Sequence, residues 1–128
     1  MPTFSHDSLT THSVPRIQTR ILVGDKSGAE ATTIWEQWIE KGGYIPLHYH
    51  EVEEVLVILS GSLVLTLGDS TEVVTAPATI VIPARQTHGV EFSGQETIHL
   101  LAFFPVKAPQ IFAVDGSVRP LPWQDRDG

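Results

Sequence analysis

The chain has 128 residues, 41% of them hydrophobic, which suits one folded domain and leaves no room for two full ones. Fifteen acids against eight bases give a formal charge of −7, so no basic stripe serves nucleic-acid phosphates or an anionic membrane surface. Cysteine is absent, which excludes disulfides, thiolate metal sites and cysteine nucleophiles together.

Residues 1–15, MPTFSHDSLTTHSVP, are polar and hold two prolines and no apolar run. They read as an extended or disordered arm and do not resemble a signal peptide. No stretch approaches the ~20 apolar residues of a spanning helix, and a cytoplasmic protein is the expectation. The remainder, 16–128, is expected to form one barrel domain with its core at 30–105.

Short β-rich runs follow the arm at 16–23, 31–40, 46–50, 53–59, 62–67, 71–75, 78–82, 87–92 and 96–104. Val, Ile, Thr, Phe and Trp are abundant in them, and most have ordinary strand length. Gly24–Asp25, Gly42–Gly43, Ser60–Gly61, Gly68–Asp69–Ser70, Pro83 and Ser93–Gly94 punctuate them as turns. No run reads as a helix of ten residues or more. Many short strands at this spacing predict an all-β sandwich or barrel.

Two runs, VLVIL at 55–59 and HLLAFF at 99–104, are apolar on both faces. Something should cover their outer side. A second copy of the chain, making a homodimer, is one cover. The chain's own tail, 105–123, with Ile111, Phe112, Val114, Leu121 and Trp123, is the other. On the run 31–40, either Trp35 with Gln37 or Trp38 with Glu36 faces inward, because alternate residues share a face.

The segment 48–54 reads H-Y-H-E-V-E-E. In a strand, His48 and His50 share a face, about 7 Å apart at Cα, and their imidazoles can converge on one ion; Tyr49 points the other way. Glu54 would lie about 20 Å from His48 on a straight strand. The chain must therefore turn back within Glu51–Val52–Glu53, an ordinary hairpin length, and Glu54 opens the next antiparallel strand.

Gly42, His48, His50, Glu54 and Gly61 reproduce every spacing of the first cupin motif, and Pro83 and His88 match the proline and histidine of the second. Over about residues 30–105 the chain resembles the cupin superfamily. Three positions depart from the pattern. Pro77 and Arg85 stand where the family usually has glycine, and Phe92 where it usually has asparagine.

The resemblance implies an antiparallel cupin barrel, the double-stranded β-helix or jelly roll. It also implies one divalent metal ion held by His48, His50, Glu54 and His88, with open positions for water, dioxygen or substrate. Imidazole and carboxylate without sulfur suit Fe, Mn, Ni, Zn or Cu.

Three function classes follow. The leading one is a metal-dependent enzyme acting on a small organic molecule, with an Fe(II)- or Mn(II)-dependent dioxygenase as its specific form and Glu54 as the ligand that shifts to take a proton. Isomerase, lyase or cyclase chemistry is the alternative within the enzymes. A ligand- or metal-sensing module without turnover is the second class, and a purely structural oligomer piece the third. No nucleic-acid or membrane partner is expected. Around the site, His99 reads as a structural histidine or a pocket base, Tyr44 as surface packing or an acid at the mouth, and Arg85 as a solvated loop residue or an anion-binding group at the rim.

Overall fold

The computed structural model describes residues 3–121. Twelve strands form among them: β1 (Thr11–Val14), β2 (Ile17–Val23), β3 (Thr33–Ile39), β4 (Tyr44–Tyr49), β5 (Glu54–Ser60), β6 (Ser62–Leu67), β7 (Ser70–Thr75), β8 (Ala78–Ile82), β9 (His88–Ser93), β10 (Ile98–Phe104), β11 (Ile111–Ala113) and β12 (Val118–Arg119). The only helical turns among the described residues are two short 3-10 segments, His6–Ser8 and Asp25–Ser27. Among the described residues no helix is long and apolar enough to cross a membrane.

Each of the nine β-rich runs becomes a strand, β2 to β10. The strands form two six-stranded antiparallel sheets, ordered β1-β2-β3-β10-β5-β8 and β12-β11-β4-β9-β6-β7. This is the all-β jelly roll expected from the sequence. Alternation decides what is buried. Along β10, Ile98, Leu100, Ala102 and Phe104 are sealed from solvent, while His99, Leu101 and Phe103 are partly exposed. The first sheet adds Trp35, Ile39, Leu56, Ile58, Ile80 and Ile82 to the core, and the second adds Leu63, Leu65 and Val90. Each fully buried aliphatic or aromatic side chain contributes roughly 1.5–3 kcal/mol, so this interior holds the two sheets together.

Three strands were not read from the sequence. Thr11–Val14 lies inside the arm 1–15 and pairs with β2 as an edge strand. The tail supplies β11, which pairs with β4, and β12, which pairs with β11. The tail therefore extends the second sheet. Neither of its described strands pairs with β5 or β10, which belong to the first. Trp123 falls outside the described residues. On the outer face of the first sheet, the register places Ile34, Phe103, Val55 and Val81 in one row across four strands.

The expected hairpin at 51–53 is corrected. β4 and β5 do not pair; the connection carries the chain from the second sheet to the first. Glu54 does open β5, but its strand neighbours are β10 and β8.

Candidate metal centre

The crossing from sheet to sheet brings four distant residues together. His48 on β4 is paired directly with His88 on β9. A Cβ at Gly89 would sit 3.1 Å from both the Ile45 carbonyl oxygen and Leu47 Cδ2, so glycine lets β9 lie close against β4 beside this pair. His50 lies just past β4, and Glu54 takes the inward register of Leu56 and Ile58 on β5. Behind the connection, the Arg85 amide donates to the His50 carbonyl at 2.7 Å. Arg85 does so in the left-handed region, φ 64°, where the motif's usual glycine would be unstrained. Tyr49 points away from the histidines and stacks on Phe112 with ring centroids 5.2 Å apart.

All four side chains are buried, each at 6% exposure or less. One nitrogen or oxygen from each lies within 4.8 Å of the others, a group that could hold a metal ion. Ligands about 2.1 Å from a common ion on opposite sides lie about 4.2 Å apart, so small adjustments suffice. The tautomers favour this. His48 Nδ1 donates to the Pro46 carbonyl at 2.7 Å, His50 Nδ1 to the Gln110 carbonyl at 2.7 Å, and His88 Nδ1 to the Gln86 carbonyl at 2.9 Å. A carbonyl only accepts, so each Nδ1 carries hydrogen, and in a neutral imidazole the lone pair then falls on Nε2, which faces inward. Backbone carbonyls behind ligand imidazoles are the usual orienting device of metal sites.

Glu54 Oε1 lies 3.0 Å from His88 Nε2 and 3.5 Å from His50 Nε2. With Nδ1–H committed to Gln86, His88 Nε2 and the Glu54 carboxylate face each other at a distance that a shared proton or a cation can bridge. Burial, followed by the charge of His88, lowers the His48 pKa from 6.5 to about 4. Burial also lowers that of His50, outweighing the raising influence of Glu54. Both imidazoles are thus neutral near pH 7, the form that binds metal.

The cluster opens into a cavity of about 430 Å³. Its wall is largely apolar, with Ile17, Trp35, Leu56, Val90, Leu100 and Ile111. Trp35 and Gln37 face this cavity. Trp38 and Glu36 face the other way. The Glu36 carboxylate receives Arg20 at 2.6 Å and lies 2.7 Å from His99 Nε2, and His99 stacks on Trp38. Burial raises the Glu36 pKa, but the His99 and Arg20 hydrogen bonds together hold it below its usual value. His99 is therefore not a pocket base; its place is in this outer ion-pair group.

Tyr44 lines the cavity and is 59% exposed, a rim position. Arg85 does not line it and lies 3.8 Å from Glu51. The cations that do line it, Arg16 and Arg119, were not singled out from the sequence. Arg16 follows Pro15 in a turn, a signal that marks a loop and not the cavity below it. Nothing local marks Arg119, whose place depends on β12 folding back onto β11.

The cupin domain family model matches residues 35–104. Auxin-binding protein 1 of Arabidopsis thaliana is 31% identical over 94 residues, which cover 66% of this chain and 48% of that protein. The chain thus spans about half the length of this curated relative. Among solved structures, the polyketide cyclase RemF from Streptomyces resistomycificus aligns over 100% of this chain and 94% of its own, with 24% identity and a TM-score of 0.77. Lactobacillus farciminis oxalate decarboxylase aligns over 88% of this chain and 35% of its own, with 22% identity and a TM-score of 0.78. At these identities the two structures share the fold.

Proposed function

The chain belongs to the cupin family, and from that premise we propose that it is a metal-dependent enzyme acting on a small organic molecule, with His48, His50, Glu54 and His88 as the ligands of one divalent ion. The observation that carries this reading is the buried three-histidine, one-carboxylate cluster at the floor of a largely apolar cavity. The cavity volume lies in the range of small-molecule sites. When bound, the ion supplies Lewis acidity and exchangeable coordination positions. The chain's own groups do the rest. Carbonyls of Pro46, Gln110 and Gln86 fix the imidazoles, and the apolar wall excludes water from the substrate. Glu54 is placed to hold or release a proton at Oε1, beside His88.

The specific form we propose is an Fe(II)- or Mn(II)-dependent oxygenase, these being two of the ions that the nitrogen and oxygen donors suit. A second reading, cyclase or other non-redox chemistry, draws support from the whole-chain fold likeness to a polyketide cyclase. Metal content separates them. Plasma mass spectrometry on untagged protein, wild type beside His48→Ala, should find about one equivalent of metal in the first only. Iron or manganese supports the oxygenase; zinc or nickel shifts the assignment to Lewis-acid chemistry or sensing. A metal-free protein that ignores every added ion refutes the site.

We also propose a homodimer through the outer face of the first sheet. The row Ile34, Phe103, Val55 and Val81 supports it, together with Leu59, which is 46% exposed. Leu59→Glu should convert a dimer to a monomer in light scattering; a wild-type monomer ends the idea.

A further inference from the structure

We propose that the cavity selects small organic carboxylates, with Arg16 and Arg119 holding the anionic group at the rim while the apolar wall takes the carbon skeleton. The proposal deepens the metal-centre reading and shares its cavity, but the arginines act whether or not an ion is present.

Charge points this way first. The chain as a whole carries −7. Among the described residues the cavity has the opposite balance: Glu54 is the one lining carboxylate, against two guanidiniums. A divalent ion among neutral imidazoles would leave Glu54 neutralised and one positive charge over, to which the arginines add two. In a pocket with low-dielectric walls such a field concentrates anions.

The arginines are also unspent. Arg20 is paired with Glu36 and Arg85 faces Glu51. No carboxylate among the described residues pairs with Arg16 or Arg119. Arg119 reaches the Leu47 carbonyl at 3.4 Å, on the strand that carries His48. Guanidinium presents a fork of donors that fits a carboxylate better than any other side chain does.

Arg16 is held in place at a cost. It sits between paired Val14 and Ile17 in a two-residue turn, with φ 66°, a conformation glycine adopts freely and other residues avoid. Its side chain crosses the open face of Gly42, where a Cβ would be 3.2 Å from Nε and 3.4 Å from Cδ. Gly42 thus leaves the space in which Arg16 lies at the rim. The turn thus sets the Arg16 side chain over Gly42 at the cavity rim.

Calorimetric titration with 2-naphthoate and its neutral counterpart 2-naphthamide tests this, on metal-loaded and on chelator-stripped protein. Wild type should prefer the carboxylate by roughly tenfold or more. In the double variant Arg16→Gly, Arg119→Gln the preference should fall within about twofold, with metal content unchanged. Arg16→Gly alone should melt no lower than wild type, which shows that the fold survives. A full preference persisting in the metal-loaded double variant overturns the proposal, because the carboxylate then sits on the metal. So does equal or absent binding of the two probes by wild type. Stripped wild type should keep the preference; its disappearance there also overturns the arginine assignment. Failure of the metal reading itself shows separately, as absence of metal with the stripped-protein preference intact.

Discussion

His88 Nε2 and Glu54 Oε1 lie 3.0 Å apart, although their strands belong to opposite sheets. A cation between them would join the sheets at one end of the barrel. Metal should therefore act on stability as well as chemistry. At a free concentration 100 times the dissociation constant, binding adds ~2.7 kcal/mol. For a domain of this size that is about 10 °C in Tm. Scanning calorimetry with and without Mn(II) or Zn(II) measures it, and an unchanged Tm with either ion would count against the centre.

Glu54→Gln keeps the shape of the side chain and removes its charge. It should lower metal affinity by on the order of a hundredfold, while His88→Ala should leave well under one equivalent bound. His99→Ala should retain full occupancy, because His99 belongs to the Glu36 group on the outer face. Metal analysis of the three variants side by side would expose a wrong assignment, most sharply if His99→Ala were the one to lose its ion.

The pH response of the metal-free protein has a definite sign. His48 has a folded pKa of about 4 against an ordinary 6.5. Between those values the unfolded chain takes up a proton that the folded chain refuses. The contribution is complete above pH ~6.5 and is lost as pH falls towards 4, at roughly 1 kcal/mol per pH unit. His50 is shifted in the same direction and steepens the loss. Urea denaturation at pH 7, 6 and 5 should show falling stability; a flat profile would mean that these imidazoles are not held neutral by burial.

Arg85→Gly restores the residue that the family motif usually carries. It relieves a left-handed arginine and gives up only an exposed 3.8 Å contact with Glu51. The unfolded chain also gains freedom, so the net stabilisation should be small, about 0.5 kcal/mol. The amide bond to His50 and the metal content should persist. A clear loss of stability in denaturant would show that the guanidinium matters more than the backbone.

Local pattern was enough for much of this protein. Period-two alternation and turn residues marked β2 to β10, since a strand buries every second side chain. The spacing of His48 and His50, with the motif resemblance that adds Glu54 and His88, marked the candidate ligands. Pairing across sheets was beyond it. The crossing at 51–53 looks like a hairpin because both need a short polar loop, and only burial of two apolar faces against each other sends β5 to the first sheet. The choice of Trp35 over Trp38 follows from the same packing, as does the place of His99. Thr11–Val14 and the tail strands lack apolar alternation of their own, and they are ordered by the sheet edges they meet. Arg16 and Arg119 lie more than a hundred residues apart in sequence, and they share a cavity only because the segments 14–17 and 119–120 both fold onto its wall. The candidate ligands were therefore legible from motif spacing, while the charge and shape of the space above them were set by contacts distant in the chain.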